Sequence, residues 1–211
     1  MEEIIRKGSV VLFQGDSITD AGRLRDQPFD LGRGYVLMAA GLFSMMKPEY
    51  RVTFYNRGIS GNRVKDLRAR WEEDCIALKP DVVTIYIGIN DTWRRYDRND
   101  PTSLEQFVEG YRDLLERTVR NLDARIVMME PFVLPVPEDR IQWREDLDPK
   151  IQAVRELARE FGALLVPLDG LFAQASMRAP ASFWAPDGVH PSAAGHALIA
   201  HAWLQTVGVS L

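Results

Sequence analysis

Ser17 lies in the stretch Phe13-Gln14-Gly15-Asp16-Ser17-Ile18-Thr19-Asp20, where a short apolar run turns abruptly polar. A serine at a strand-to-helix turn can hold its Oγ clear of a sheet, in position to attack an ester carbonyl. Serine chemistry also needs a base, a group that orients the base, and donors for the oxyanion. His190 can accept the serine proton. Asp187 precedes it by three residues, close enough for one loop to fold the carboxylate onto the imidazole. Gly61 offers a backbone N–H that no side chain obstructs, and Asn90 offers a side-chain amide. With the Ser17 N–H, these make a three-donor oxyanion hole.

Each of these residues has a plainer role open to it. Ser17 also suits a turn or helix N-cap, and Gly61 a loop that needs permissive backbone angles. Asp187 could cap the last helix without touching His190. Asn90-Asp91 suits a turn or cap, the role expected of Asp91, and Asp16 is expected to hydrogen-bond loop amides. Ser60 is a rival nucleophile with no nearby base, so it is read as loop support. His196 and His201 fall within a predicted helix, where packing or surface roles are expected.

What sets Ser17, Gly61, Asn90, Asp187 and His190 apart is where the elements place them. Apolar runs at Ser9–Phe13, Val52–Tyr55, Val82–Ile87, Ile126–Met129 and Ala163–Leu168 predict five strands of a parallel sheet buried on both faces. Helical periodicity fills the gaps at Tyr35–Met46 and Asn62–Leu78. A longer helix carries Leu104 to Leu122 and is opened by a Thr102/Glu105 capping box. Asp148-Pro149 is read as the start of a helix that Gly162 ends, and a last helix follows Pro191-Ser192. Strands alternating with helices predict one α/β domain over residues 1–211, a three-layer α/β/α sandwich with a five-stranded parallel sheet. Such sheets bind ligands beyond the C-terminal ends of their strands. Ser17, Gly61 and Asn90 follow the first three strands, and the Asp187–His190 loop can reach the same edge. Together, in that order, they point to catalysis.

The bulk composition removes other classes. With a net charge of −4 there is no basic footprint for nucleic acid. A single cysteine, Cys75, excludes an internal disulfide, and it falls in helical register with Leu67, Trp71 and Leu78 as a core thiol. No apolar run is long enough to span a membrane, and the first ten residues lack the pattern of a secretory signal. A cytoplasmic protein without membrane or nucleic-acid partners is therefore expected.

The blocks "GDSIT" (15–19), "GISGN" (58–62), "GIND" (88–91) and "DGVHP" (187–191) resemble those of the SGNH hydrolases, also called the GDSL lipase/esterase family. The resemblance covers nearly the whole chain. It implies a flavodoxin-like sandwich and ester hydrolysis without metal or cofactor. The family's serine, glycine, asparagine and histidine fall on Ser17, Gly61, Asn90 and His190, and its triad aspartate falls on Asp187. Isoleucine stands after the serine where the family name has leucine, and the G-x-S-x-G elbow of another hydrolase fold is absent. "GISGNRVKDLRARWEED" and "GINDTWRRYD" are similar to the intracellular acetylxylan esterase branch. That likeness implies an acetylated carbohydrate substrate and a homo-oligomer.

Trp93 and Tyr96 follow Asn90 closely, Phe132 follows the fourth strand, and Trp184 precedes the Asp187–His190 loop. All four are expected to bind substrate, while Arg94, Arg95 and Arg98 are expected to form a solvated face. Short loops and no amphipathic lid favour small soluble acyl esters over triglycerides. Two other classes fit parts of the pattern. One is a metal-dependent phosphoesterase using Asp16, Asp91, Asp187 and His190; the other is a non-catalytic sugar-binding protein. Within the esterases, a lysophospholipase or thioesterase is the rival.

Overall fold

The computed structural model describes residues 4–209. Strands β1 (Val10–Gly15), β2 (Thr53–Asn56), β3 (Val82–Tyr86), β4 (Arg125–Met129) and β5 (Leu164–Val166) pair throughout in parallel, in the order β2-β1-β3-β4-β5. Around them run α1 (Ser17–Asp20), α2 (Tyr35–Met46), α3 (Val64–Asp74), α4 (Ile89–Arg98) and α5 (Leu104–Asn121). They are followed by α6 (Arg144–Glu160), α7 (Leu168–Ser176), α8 (Ala181–Trp184) and α9 (Ala193–Thr206).

The period-two side-chain rule sorts the sheet's apolar residues onto two faces. Val11, Phe13, Val82, Val127 and Met129 pack with α2, α7 and α9, including Tyr35, Phe43, Phe172 and Trp203. Leu12, Val83, Ile85, Ile126 and Met128 pack with α3, α5 and the end of α6, including Trp71, Phe107, Tyr111 and Val154. Cys75 is fully buried in this second layer. Both faces of the sheet are therefore dry. The indole N–H groups of Trp203 and Trp71 are satisfied by Thr84 Oγ1 at 2.9 Å and Thr118 Oγ1 at 3.1 Å. No helix among the described residues is long and apolar enough to cross a membrane.

The five strands match the sequence expectation in number, direction and place. Several helix boundaries differ. The helix expected over Asn62–Leu78 runs from Val64 to Asp74, with a separate 3-10 turn at Ile76–Leu78. The cap of α5 is Ser103 with Gln106, one residue beyond the Thr102/Glu105 pair, because Ser103 Oγ accepts the Gln106 N–H at 3.2 Å. Helix α6 begins at Arg144, so Pro149 lies inside it, where its missing N–H leaves one carbonyl without its helical donor. The extra turn is held by tertiary contacts: Leu147 is buried, Arg144 pairs with Asp148 and Asp169, and Lys150 pairs with Asp146. Asn90-Asp91, expected as a turn or helix cap, lies within the first turn of α4. Pro167 stops β5, and Leu168 opens α7 where the strand was expected to end.

The chain places β2 on one side of β1 and β3 on the other, so the strand order reverses between β1 and β3. Crevices in open parallel sheets lie at such a reversal. Ser17 leaves β1 there, and Asn90 leaves β3.

Candidate active site

Strand β1 ends at Gly15, where a Cβ would sit 2.2 Å from Thr19 Oγ1 and 2.5 Å from the Tyr86 carbonyl; only glycine lets the chain turn so close. Asp16 then caps α1, its carboxylate accepting the Ile18 N–H at 3.0 Å. Ser17 is the first helical residue. Its own N–H has no intrahelical acceptor, and it stays half-buried while Ile18, Thr19 and Asp20 turn inward.

Ser17 Oγ lies 3.0 Å from His190 Nε2, and His190 Nδ1 lies 2.7 Å from Asp187 Oδ2. The other oxygen of Asp187 accepts the His190 and Val189 backbone N–H groups at 2.7 and 3.0 Å. One carboxylate thus folds the loop and orients the ring at once. Gly188 (φ +79°) lets the loop lie against the Leu134 and Val136 carbonyls, 2.4 and 2.5 Å from where a Cβ would be. Burial alone would raise the Asp187 carboxyl. The hydrogen bonds from the His190 ring and from the two N–H groups outweigh it and hold the carboxyl below the usual range, so it stays ionised beside the imidazole.

The loop after β2 is laced to α1. Asn56 Nδ2 donates to the Thr19 and Leu31 carbonyls, and Asp20 Oδ2 accepts the Ser60 N–H at 3.0 Å. Ile59 N–H returns to the Gly15 carbonyl at 3.1 Å. This presents Gly61 with φ +82° and open space above it. Ser60 bonds through its backbone, as loop support requires. Asn90 donates one Nδ2–H to the Asn62 carbonyl at 3.1 Å, which leaves its second N–H for another acceptor. Its Oδ1 accepts from Arg94 Nη2 at 3.2 Å, and Arg94 is in turn clamped by Asp97. Arg94 therefore departs from the solvated face expected of it: it orients an amide. The pair sits at i, i+4 on α4, a spacing visible in sequence once that helix is recognised.

The aromatic residues divide. Trp93 is half-buried with its ring 5.8 Å from that of His190, so it walls the site. Tyr96 stands behind it, stacked on Trp143 at 5.3 Å with its hydroxyl donated to the Gln142 carbonyl. Phe132 is only 1% exposed and stacks on Phe172 at 3.9 Å. The loop after β4 carries it into the core, and it presents no face to a substrate here. Trp184 donates its indole N–H to Ala175, and its carbonyl accepts the Ser192 N–H that precedes α9. It braces the loop from behind.

Asp16, Asp91, Asp187 and His190 do not converge into a ligand set: among the described residues, no three His, Cys, Asp or Glu side chains are gathered to hold an ion. Asp91 instead accepts the Val64 N–H at 3.2 Å, tying α4 to the start of α3. Burial pushes both Asp16 and Asp91 up to about 7, against the hydrogen bonds and nearby positive charges that favour ionisation. Burial likewise lowers His196 to about 4, and its Nδ1 accepts the Tyr35 N–H that opens α2.

The raised carboxyl has a sign in stability. With a folded value near 7 and an ordinary value of 3.8, Asp91 stabilises the protonated fold fully at low pH, and that stabilisation is lost as pH rises through 7. Asp91→Asn cannot titrate. Its stability relative to the parent should therefore improve between pH 4 and 7 by roughly 1 kcal/mol per pH unit and level off above, as read by urea unfolding at stepped pH. A parent-to-variant difference independent of pH would show that Asp91 is not the titrating group.

The match to the GDSL-like lipase/acylhydrolase family model spans residues 13–198. An acetylxylan esterase from Geobacillus stearothermophilus is 41% identical over 97% of this chain and 96% of its own length. A solved acetylxylan esterase from the same organism superposes with a TM-score of 0.91 at 38% identity, covering 98% of this chain and 97% of that one. A protein from Parabacteroides merdae, provisionally described as a GDSL-like lipase, superposes with a TM-score of 0.92 at 39% identity, covering 97% of each chain. Solved catalytic mutants of the Geobacillus enzyme replace a serine, an aspartate and a histidine. By its sequence blocks and its architecture alike, the chain belongs to the GDSL-like lipase/acylhydrolase family and is a carboxylic ester hydrolase with a Ser-His-Asp triad.

Proposed function

We propose that the enzyme removes O-acetyl groups from xylo-oligosaccharides, with Ser17 as nucleophile, His190 as general base and Asp187 as the group that orients it. The single observation that carries this reading is the unbroken chain from Ser17 Oγ to His190 at 3.0 Å and on to Asp187 at 2.7 Å. The acetylxylan esterase relative, matched over nearly its full length, supports the acyl group and the sugar.

Ser17 Oγ attacks the acetyl carbonyl as its proton passes to His190 Nε2. The oxyanion is met by the Ser17 and Gly61 N–H groups and the free N–H of Asn90. His190 returns the proton to the departing sugar hydroxyl, leaving an acetyl ester on Ser17. Water then repeats the sequence with His190 as base, and acetate leaves. Trp93 beside His190 limits the room for the acyl chain. On the resemblance to intracellular relatives, the proposal extends to a cytoplasmic homo-oligomer.

The test is a series of acyl esters of growing chain length, run beside acetylated xylo-oligosaccharides, with released acid measured. Acetyl esters should be cleaved fastest. A preference for long acyl chains would overturn the reading in favour of a lysophospholipase or thioesterase. In the same assay Asn90→Ala should lose about 10²–10³ in kcat with little change in KM, because its donor acts on charge present only in the transition state.

A further inference from the structure

Arg140 differs from Arg94, Arg95 and Arg144, the half-buried or bridging arginines nearest it in the chain and on α4. Arg94 pairs with Asp97, Arg95 with Glu145 and Asp146, and Arg144 with Asp148 and Asp169. Arg140 has no ion-pair partner among the described residues, and its buried Nε has no hydrogen-bond partner there. The acids of its own turn, Glu138 and Asp139, form no ion pair with it, and Glu145 and Asp146 are taken by Arg95.

The side chain is nevertheless held in place. Its guanidinium carbon lies 4.0 Å from the Trp143 ring centre and 4.6 Å from that of Trp93. The two indoles pack on each other at 5.3 Å, and the Arg140 N–H donates to the Pro137 carbonyl at 3.0 Å. Cation–π contacts occupy the faces of a guanidinium, while its N–H donors lie in the plane and point out from its edges. A stacked, unpaired arginine is therefore preorganised for a planar, bidentate acceptor such as a carboxylate.

We propose that Arg140 determines specificity by taking a carboxylate on the substrate. The preferred esters are then acetyl groups on sugar chains that carry a uronic acid close to the acetylated ring. The inference rests on the acetylesterase reading above and adds which oligosaccharides that site selects. Trp93 touches both His190 and Arg140, so an acetyl at Ser17 and a carboxylate at Arg140 would belong to different positions of one oligosaccharide. The net charge of −4 gives no general attraction for an anion, so selection of this kind has to be local.

The test compares kcat/KM for two acetylated xylo-oligosaccharides that differ only in a uronic acid substituent. The wild-type enzyme should favour the acidic one at low salt, and that preference should shrink as salt rises. Arg140→Gln should lower the acidic-to-neutral ratio about tenfold, the low end for a hydrogen bond to a charged group. Arg140→Lys should fall between, because a point charge lacks the planar fork. A wild-type enzyme without preference at low salt, or an Arg140→Gln ratio equal to that of wild type, overturns the inference while leaving the acetylesterase intact. Inactivity of the wild type on both substrates overturns both. The salt series uses the unaltered enzyme, so a variant that fails to fold does not blunt the test.

Discussion

Ser17→Ala is expected to lower kcat for acetyl-ester cleavage by about 10⁴–10⁶-fold, measured by acetate release, with the fold intact. Ser17 is half-buried, and its hydroxyl is engaged with His190 rather than with the core, so its removal opens no packing defect. The residue's other structural duty, opening α1, rests on backbone and on the Asp16 cap, which alanine leaves alone. What remains in the variant is an oxyanion site and a bound substrate, enough for slow attack by water. Ser60 cannot substitute: its backbone N–H is held by Asp20, and among the described residues no histidine pairs with its hydroxyl. An unchanged thermal midpoint with activity near wild type would contradict the role given to Ser17.

Asp187→Asn should cost about 10⁴ in kcat, again without unfolding the protein. An asparagine keeps one oxygen for the His190 and Val189 N–H groups, so the loop can hold its shape. At the other position an amide N–H replaces a carboxylate oxygen 2.7 Å from His190 Nδ1. The ring then turns to the tautomer that accepts at Nδ1 and carries its proton on Nε2, facing Ser17, where it can no longer act as a base. Because the Asp187 carboxyl sits below the usual carboxylate range, it is ionised throughout mildly acidic and neutral pH. Wild-type activity should accordingly show no titration of this aspartate in that interval. Activity in Asp187→Asn within a few-fold of wild type would mean that the aspartate serves the loop alone.

The strands were legible because each is a short apolar run that gives way to polar or turn-forming residues, Gly15, Asn56, Gly88, Glu130-Pro131 and Pro167, and every one of them forms. Helix α2 spans Tyr35–Met46 as its periodicity predicts, and Ser192 caps α9 by accepting the Gly195 N–H. Misplaced boundaries arose where local signals were doubled or overridden. Thr102 and Ser103 both stand three residues before an acceptor side chain, and hydrogen-bond geometry chooses the second. Pro149 looks like a helix start, yet burial of Leu147 and the Arg144 ion pairs extend the helix past it.

Within the site, the residues that sequence spacing singles out are brought together: Ser17, His190 and Asp187 by direct contact, Gly61 through a loop laced to α1, and Asn90 through its bond to the Asn62 carbonyl of that loop. The supporting residues were hidden. Asn56 donates to the Leu31 carbonyl, Asp20 accepts the Ser60 N–H and Arg70 donates to Gln14 Oε1, partners 25, 40 and 56 positions away that carry no local sequence signal. Arg140 was hidden for a related reason, since its partners Trp93 and Trp143 meet only through the packing of α4 against the turn before α6. Phe132 shows the opposite error. A position just after a strand end suggested the pocket, and the chain instead turned the ring inward.

The central claim is that Ser17 is the nucleophile, and a serine-directed fluorophosphonate tests it most directly. After reaction, intact mass should rise by one adduct, peptide mapping should place that adduct on Ser17, and activity should be lost in step with labelling. Ser17→Ala should take up none. Labelling at Ser60 or another hydroxyl with loss of activity, or full labelling of Ser17 with activity retained, would contradict the account.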